Sequence, residues 1–82
     1  MRGMVAKVSA VNGFVAVRTE RDEYSLIELF GDELEVGEVV EGNLESLGSE
    51  SLRILSERRT ISVMIQDCHA DAARAVSLLC QR

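Results

Sequence analysis

The dipeptide Asn12-Gly13 lies between two segments rich in valine and alanine. Both residues tolerate the positive φ angles of a type I′ turn, so this pattern favours a β-hairpin. A two-residue loop would place Val11 opposite Phe14, and that pairing would set the register of both strands. The sequence therefore predicts that the chain begins with two antiparallel strands.

In this register the hairpin would have one apolar face and one mixed face. It would set Lys7 directly opposite Arg18, an unfavourable pair unless an anion or a nearby acid such as Glu20 compensates, and we favour the acid. We expect the apolar face to point into the core, with Met4, Ala6, Val8, Ala10, Val15 and Val17. The mixed face would carry Val5, Lys7, Ser9, Val11, Phe14, Ala16 and Arg18.

Four further segments have the composition of short strands, with turn residues between them. Gly42 predicts a bend inside the second of these segments. Leu34 and Val36 would be the apolar anchors of the turn that precedes it. The four segments are residues 24–30, 38–47, 52–56 and 61–65.

After residue 66 the spacing of apolar residues changes from alternation to a helical period. Asp67 would cap a helix over about residues 68–80. Its apolar stripe would consist of Ala72, Ala73, Val76, Leu79 and Cys80. Residues 1–82 are therefore predicted to form one mainly β domain, a five- to six-stranded barrel over about residues 3–66 with a short C-terminal α-helix.

The net charge of −5 is unevenly distributed along the chain. Residues 1–19 sum to +3, residues 20–50 to −10 and residues 51–82 to +2. A nucleic-acid-binding protein usually has a basic footprint, which here would have to be assembled from the two ends of the chain. The acidic middle would instead attract a basic partner, or serve only to keep the protein soluble.

Membrane contact is not predicted, because no run approaches the roughly 20 apolar residues of a transmembrane helix. Lys7 and Ser9 interrupt the N-terminal stretch, so a signal peptide is not predicted either. We therefore expect a cytoplasmic protein in which Cys68 and Cys80 are reduced thiols.

Cys68, His69 and Cys80 raise the question of a metal site. If residues 68–80 were helical, the two cysteines would be about 18 Å apart, too far for a shared ion or a disulfide bond. His69 is the only histidine, and no nucleophile motif surrounds it. The sequence therefore predicts His69 on the helix surface, no metal or other cofactor, and no catalysis.

The order of turns and strands resembles the S1-type OB fold. Residues 3–8, 12–17, 24–29 and 34–40 carry the resemblance, and the last stretch reads Leu-Glu-Val-Gly-Glu-Val-Val. The resemblance implies an OB-like barrel that binds single-stranded RNA through the outer face of its second and third strands. Phe14 matches the aromatic residue that begins strand 2 in this family. The chain departs from the family pattern at Val11, Glu23 and Ser25, where an aromatic residue, a glycine and a histidine are usual.

The resemblance also implies which residues would touch RNA. Phe14 would stack on a base, Lys7 and Arg18 would contact phosphates, and Tyr24 and Arg53 are further candidates. Packing of Phe14 under the C-terminal helix is the simpler interpretation of that side chain. The alternative function is a protein-interaction or assembly module, in which the acidic segment 32–45 and the C-terminal helix bind a basic protein. Monomer and homodimer both stay open.

Overall fold

Six β-strands and one C-terminal α-helix make up the fold in a computed structural model that describes residues 1–9 and 12–79. The prediction of a mainly β barrel with one short C-terminal helix is confirmed. The strands are β1 (Arg2–Val8), β2 (Phe14–Thr19), β3 (Tyr24–Leu29), β4 (Val39–Glu41), β5 (Gly48–Ile54) and β6 (Arg59–Ala70), and the helix is α1 (Ala72–Leu79).

Two consecutive three-stranded meanders build the barrel. The first is β1-β2-β3 and the second is β4-β5-β6, and all strand pairs are antiparallel. Pairing of β3 with β6 and of β1 with β4 closes the sheet on itself. Apolar residues of all six strands and two loops meet inside the closed sheet: Val5, Val15, Val17, Ile27, Leu34, Val40, Leu44, Leu52, Ile54, Ile61, Val63 and Ile65.

The loop between β1 and β2 is longer than the predicted two residues. The amide of Ser9 donates to the carbonyl of Phe14 at 2.9 Å, so these two residues are the last pair before the turn. Gly13 has a φ of 57°, which fits its predicted place in the turn. Ala10, predicted on the inner face, and Val11, predicted opposite Phe14, lie outside the described residues.

A β-bulge at Ala6 changes the register along β1. Lys7 lies opposite Ala16, and Arg18 lies opposite Met4. The predicted pairing of Lys7 with Arg18 was therefore wrong, because the loop is longer than two residues and the pairing counted from a two-residue loop is displaced.

The same bulge exchanges the faces of residues 3–5 relative to the prediction. Val5 is buried, whereas Met4 and Val8 are 51% and 42% exposed, so the predicted inner face of β1 was wrong. On β2, Val15 and Val17 are fully buried, as predicted. The error is confined to β1, because the extra residue lies in β1 and β2 keeps regular alternation.

The later strands also differ in length from the prediction. The fourth strand is short, and it ends before Gly42, where an added Cβ atom would lie 2.6 Å from the side chain of Leu52. Residues 48–51 were predicted as a turn but belong to β5. Their backbone pairs with β6, and this pairing does not require apolar side chains. The last strand continues to Ala70, through residues that the sequence assigned to the helix.

The cap of α1 is Asp71 rather than Asp67. A carboxylate oxygen of Asp71 accepts a hydrogen bond from the amide of Arg74 at 2.8 Å, while Asp67 pairs with the Arg74 guanidinium at 2.7 Å. The buried residues of α1 are Ala75 and Leu79. Of the predicted stripe, Ala72, Ala73 and Val76 are exposed, and Cys80 lies outside the described residues.

None of the described residues belongs to a helix with the length and apolar character that crossing a membrane requires.

Candidate functional site

The outer face of β2 and β3 is the surface through which the S1-type resemblance implies RNA binding, and α1 lies across it. Ala75 and Leu79 pack on Ala16 and Leu26, and all four side chains are buried. The centre of this face is therefore a second, smaller apolar core. Stacking of a base on its centre would require α1 to move.

Phe14 and Tyr24 pack at the edges of this second core and keep part of their surface exposed. Tyr24 and Lys7 line a cleft of about 230 Å³ between α1 and the outer face of the barrel, whose other walls are mainly alanine, valine and leucine side chains. An aromatic ring and a cation thus border the same apolar cleft.

The two candidate arginines lie apart from each other. Arg18 is directly opposite Tyr24, and its guanidinium donates to the carboxylate of Asp22 at 2.6 Å. This hydrogen bond raises the pKa of Arg18 above its usual value. Arg53 lies on β5 opposite Glu41, away from the β2–β3 face. The structure therefore places Phe14, Lys7, Arg18 and Tyr24 on one face and separates Arg53 from them.

A different surface, at the end of the barrel, combines carboxylates with exposed apolar side chains. Two adjoining clefts of about 420 and 610 Å³ share Glu38 and Ser56. The first is mostly acidic and the second is mostly apolar. We call this the acidic–apolar surface, and it comprises Glu33, Glu35, Val36, Glu38, Val39, Leu55 and Glu57.

The turn that carries Val36 is held in place by hydrogen bonds. The amide of Gly37 donates to the carbonyl of Val5 at 2.8 Å, and the amide of Glu35 donates to the Glu38 carboxylate at 2.7 Å. Leu34 is buried in the core as predicted, but Val36 is 65% exposed, so its assignment as a second anchor was wrong. A fixed turn therefore presents Val36 to solvent.

The single cation of the acidic cleft is already paired. The guanidinium of Arg59 donates to Asp32 at 2.9 Å and to Glu57 at 2.7 Å, and these bonds raise the pKa of Arg59. Glu33 and Glu35 add further carboxylates to the same cleft. Arg2, the cation that lines the apolar cleft, is likewise paired, with Glu41 at 3.1 Å. The local field of the acidic–apolar surface is therefore negative and suits a cationic group of a partner.

The prediction that His69 lies on the surface of the helix was wrong. His69 lies near the end of β6, with a φ of 58°. Its Nδ1 lies 2.9 Å from a carboxylate oxygen of Glu23, a contact that raises the pKa of His69. Cys68 is half-buried against the main core, and burial raises the pKa of its thiol. Cys80, also predicted to be a reduced thiol, lies outside the described residues. Local spacing gave no signal for the Glu23 contact, because the two residues are far apart in the chain.

Carboxylates, exposed apolar groups and one aromatic–cationic cleft are thus distributed over the barrel as separate surfaces. No family model, curated protein or solved structure matches this chain.

Proposed function

We propose that this chain is a non-catalytic, OB-like module that binds another protein through the acidic–apolar surface. The observation that carries the proposal is the exposed side chain of Val36, fixed on a hydrogen-bonded turn and bordered by Glu35, Glu38 and an apolar cleft. Contiguous apolar groups with a polar rim are the common anatomy of protein-binding sites. The partner would be a basic segment with one or two apolar side chains.

The two halves of the surface would have different roles in binding. Full burial of a valine side chain contributes about 1.5 kcal/mol or more, so Val36 would be an anchor. The carboxylates of Glu33 and Glu35 would contribute mainly to the association rate and to selection of a basic partner. Because the turn is fixed before binding, little conformational entropy would be lost on this side of the interface.

Single-stranded RNA is the second candidate ligand, favoured by the shared cleft of Lys7 and Tyr24. A base that stacks on an exposed aromatic edge gains about 1–3 kcal/mol, and Lys7 would contact a phosphate. Two features count against it: α1 covers the centre of the face, and Asp22 already pairs with Arg18. The protein-binding proposal therefore comes first.

One titration experiment distinguishes the two candidates. Labelled protein is titrated with a short peptide of alternating Lys and Leu residues, and separately with a single-stranded RNA oligonucleotide, while amide shifts are recorded. We expect the peptide to shift residues 33–39 and 55–57. Shifts in residues 5–9, 14–18 and 24–28 with RNA, lost as salt rises, would favour the second candidate instead.

Matched variants make the test specific. Val36→Ser should weaken peptide binding about tenfold or more, given the free energy of burying a valine. Leu47→Ser removes an equally exposed apolar side chain elsewhere and should leave binding unchanged. Equal loss in both variants, or no saturable shift in residues 33–39, would contradict the protein-binding proposal.

A further inference from the structure

Three separate segments meet beside His69. Glu23 belongs to the turn between β2 and β3, Glu45 to the loop between β4 and β5, and His69 to the end of β6. One donor atom from each residue lies within 4.8 Å of the others. The chain thus brings one imidazole and two carboxylates together from positions that no local motif connects.

The separations of these donor atoms match those within a metal coordination sphere. Nδ1 of His69 is 2.9 Å from an oxygen of Glu23 and 3.6 Å from an oxygen of Glu45. Ligands about 2.1 Å from a tetrahedral zinc ion are about 3.4 Å from each other. Small side-chain movements would therefore place all three donors around one ion.

The oxygen of Glu45 that faces His69 is a buried acceptor without a hydrogen bond from the described residues. Nδ1 of His69 lies 3.6 Å from it, and the guanidinium of Arg21 lies 3.3 Å from it. The Arg21 side chain is 66% exposed, so it can turn into solvent when a cation replaces it. A buried carboxylate oxygen without a hydrogen bond is a site that a metal ion would satisfy.

We propose that Glu23, Glu45 and His69 form a binding site for a divalent transition-metal ion of the zinc class. Imidazole nitrogen and carboxylate oxygen are both ligands that zinc accepts, and a fourth position would face solvent because the His69 side chain is half-exposed. The bound ion would join the β2–β3 turn and the β4–β5 loop to the strand that leads into α1. The site is independent of the acidic–apolar surface, which lies elsewhere on the barrel.

Calorimetric titration of the protein with zinc chloride tests the proposal. We expect saturable binding of one ion per chain, with amide shifts centred on residues 23, 45 and 69. His69→Asn removes the imidazole and suits the positive φ of this position, and it should weaken binding at least about tenfold. Glu23→Gln should weaken it as well, which covers the case that one of the two variants fails to fold.

Two control variants locate the ion. Glu33→Gln removes a carboxylate from the acidic–apolar surface, and Cys68→Ser removes the thiol next to His69 in the sequence. Both variants should bind zinc as the unchanged protein does. Absence of saturable binding, equal affinity in His69→Asn, or equal losses in Glu33→Gln would overturn the proposal. Loss of binding in Cys68→Ser would overturn this set of ligands by making the thiol one of them.

Discussion

The hydroxyl of Ser25 on β3 donates a hydrogen bond to the backbone carbonyl of Leu44, and both residues are fully buried in the barrel. This bond ties the β4–β5 loop to the opposite meander. The position is the one at which the resemblance expects a histidine. In this chain it is a structural residue of the core.

Replacement of Ser25 by alanine should destabilise the protein. The carbonyl of Leu44 would lose its partner while remaining buried, which costs about 1–3 kcal/mol. Urea unfolding monitored by circular dichroism measures the change. Ser62→Ala, at an exposed position of β6, is the control and should change the free energy of unfolding by less than about 0.5 kcal/mol. Equal stability of the Ser25 variant would show that the hydrogen bond contributes nothing net.

Gly3 should not tolerate a larger residue. A Cβ atom at this position would lie 2.5 Å from Cγ1 of Val17 and 3.0 Å from the backbone oxygen of Arg18. Gly3→Ala should therefore cost about 1–3 kcal/mol of stability through overpacking. Thermal unfolding measures the change, and Met4→Ala, at the exposed neighbouring position, is the control. A Gly3 variant as stable as the control would mean that the β1 register described above is incorrect.

The pKa of Glu41 should depend on Arg2. A hydrogen bond from the Arg2 guanidinium lowers the pKa of this carboxyl below its ordinary value of 4.5. Its contribution to stability is present above pH 4.5 and is lost as the pH falls through the lower folded-state pKa. Arg2→Gln should return the pKa of Glu41 toward 4.5, as measured by carbon-detected NMR titration. An unchanged pKa in the variant would assign the shift to another group.

The identity of the helix cap can be tested with two aspartates. Asp71→Ala removes the oxygen that accepts from the Arg74 amide and should cost about 0.5–2 kcal/mol, with faster amide exchange in α1. Asp67→Ala breaks only a partly exposed ion pair, so its cost should be smaller. The opposite order of effects would restore Asp67 as the cap.

Hydrophobic alternation and turn residues were sufficient to predict the fold class but not the register. Asn12-Gly13 marks the first reversal correctly, yet a bulged residue such as Ala6 has no signature in a pattern with a period of two. For the same reason Val5 was assigned to the wrong face. The helix boundary failed at residues 68–70, where continued pairing of β6 with β3 outweighed a plausible helical period.

The candidate sites were less predictable because they depend on tertiary structure. Phe14 and Tyr24 share a face as expected, but the presence of α1 on that face is a consequence of packing. The contact of His69 with Glu45 joins the end of β6 to the β4–β5 loop, and no spacing rule connects the two residues. Leu34 is buried and Val36 is exposed although they are two residues apart, because residues 36–37 form a turn and strand alternation does not apply there.

The two seams that close the barrel, β1–β4 and β3–β6, differ in length. Only three residues of β4 pair with β1, with backbone hydrogen bonds at Gly37, Glu38 and Gly42 on either side, whereas β6 pairs along both β3 and β5. Local fluctuations should therefore separate the β1–β4 seam first and leave the β3–β6 seam intact. Deuterium would enter the first few N-terminal amides sooner than those of residues 61–65. The barrel would then open transiently between β1 and β4, next to the turn that carries Val36.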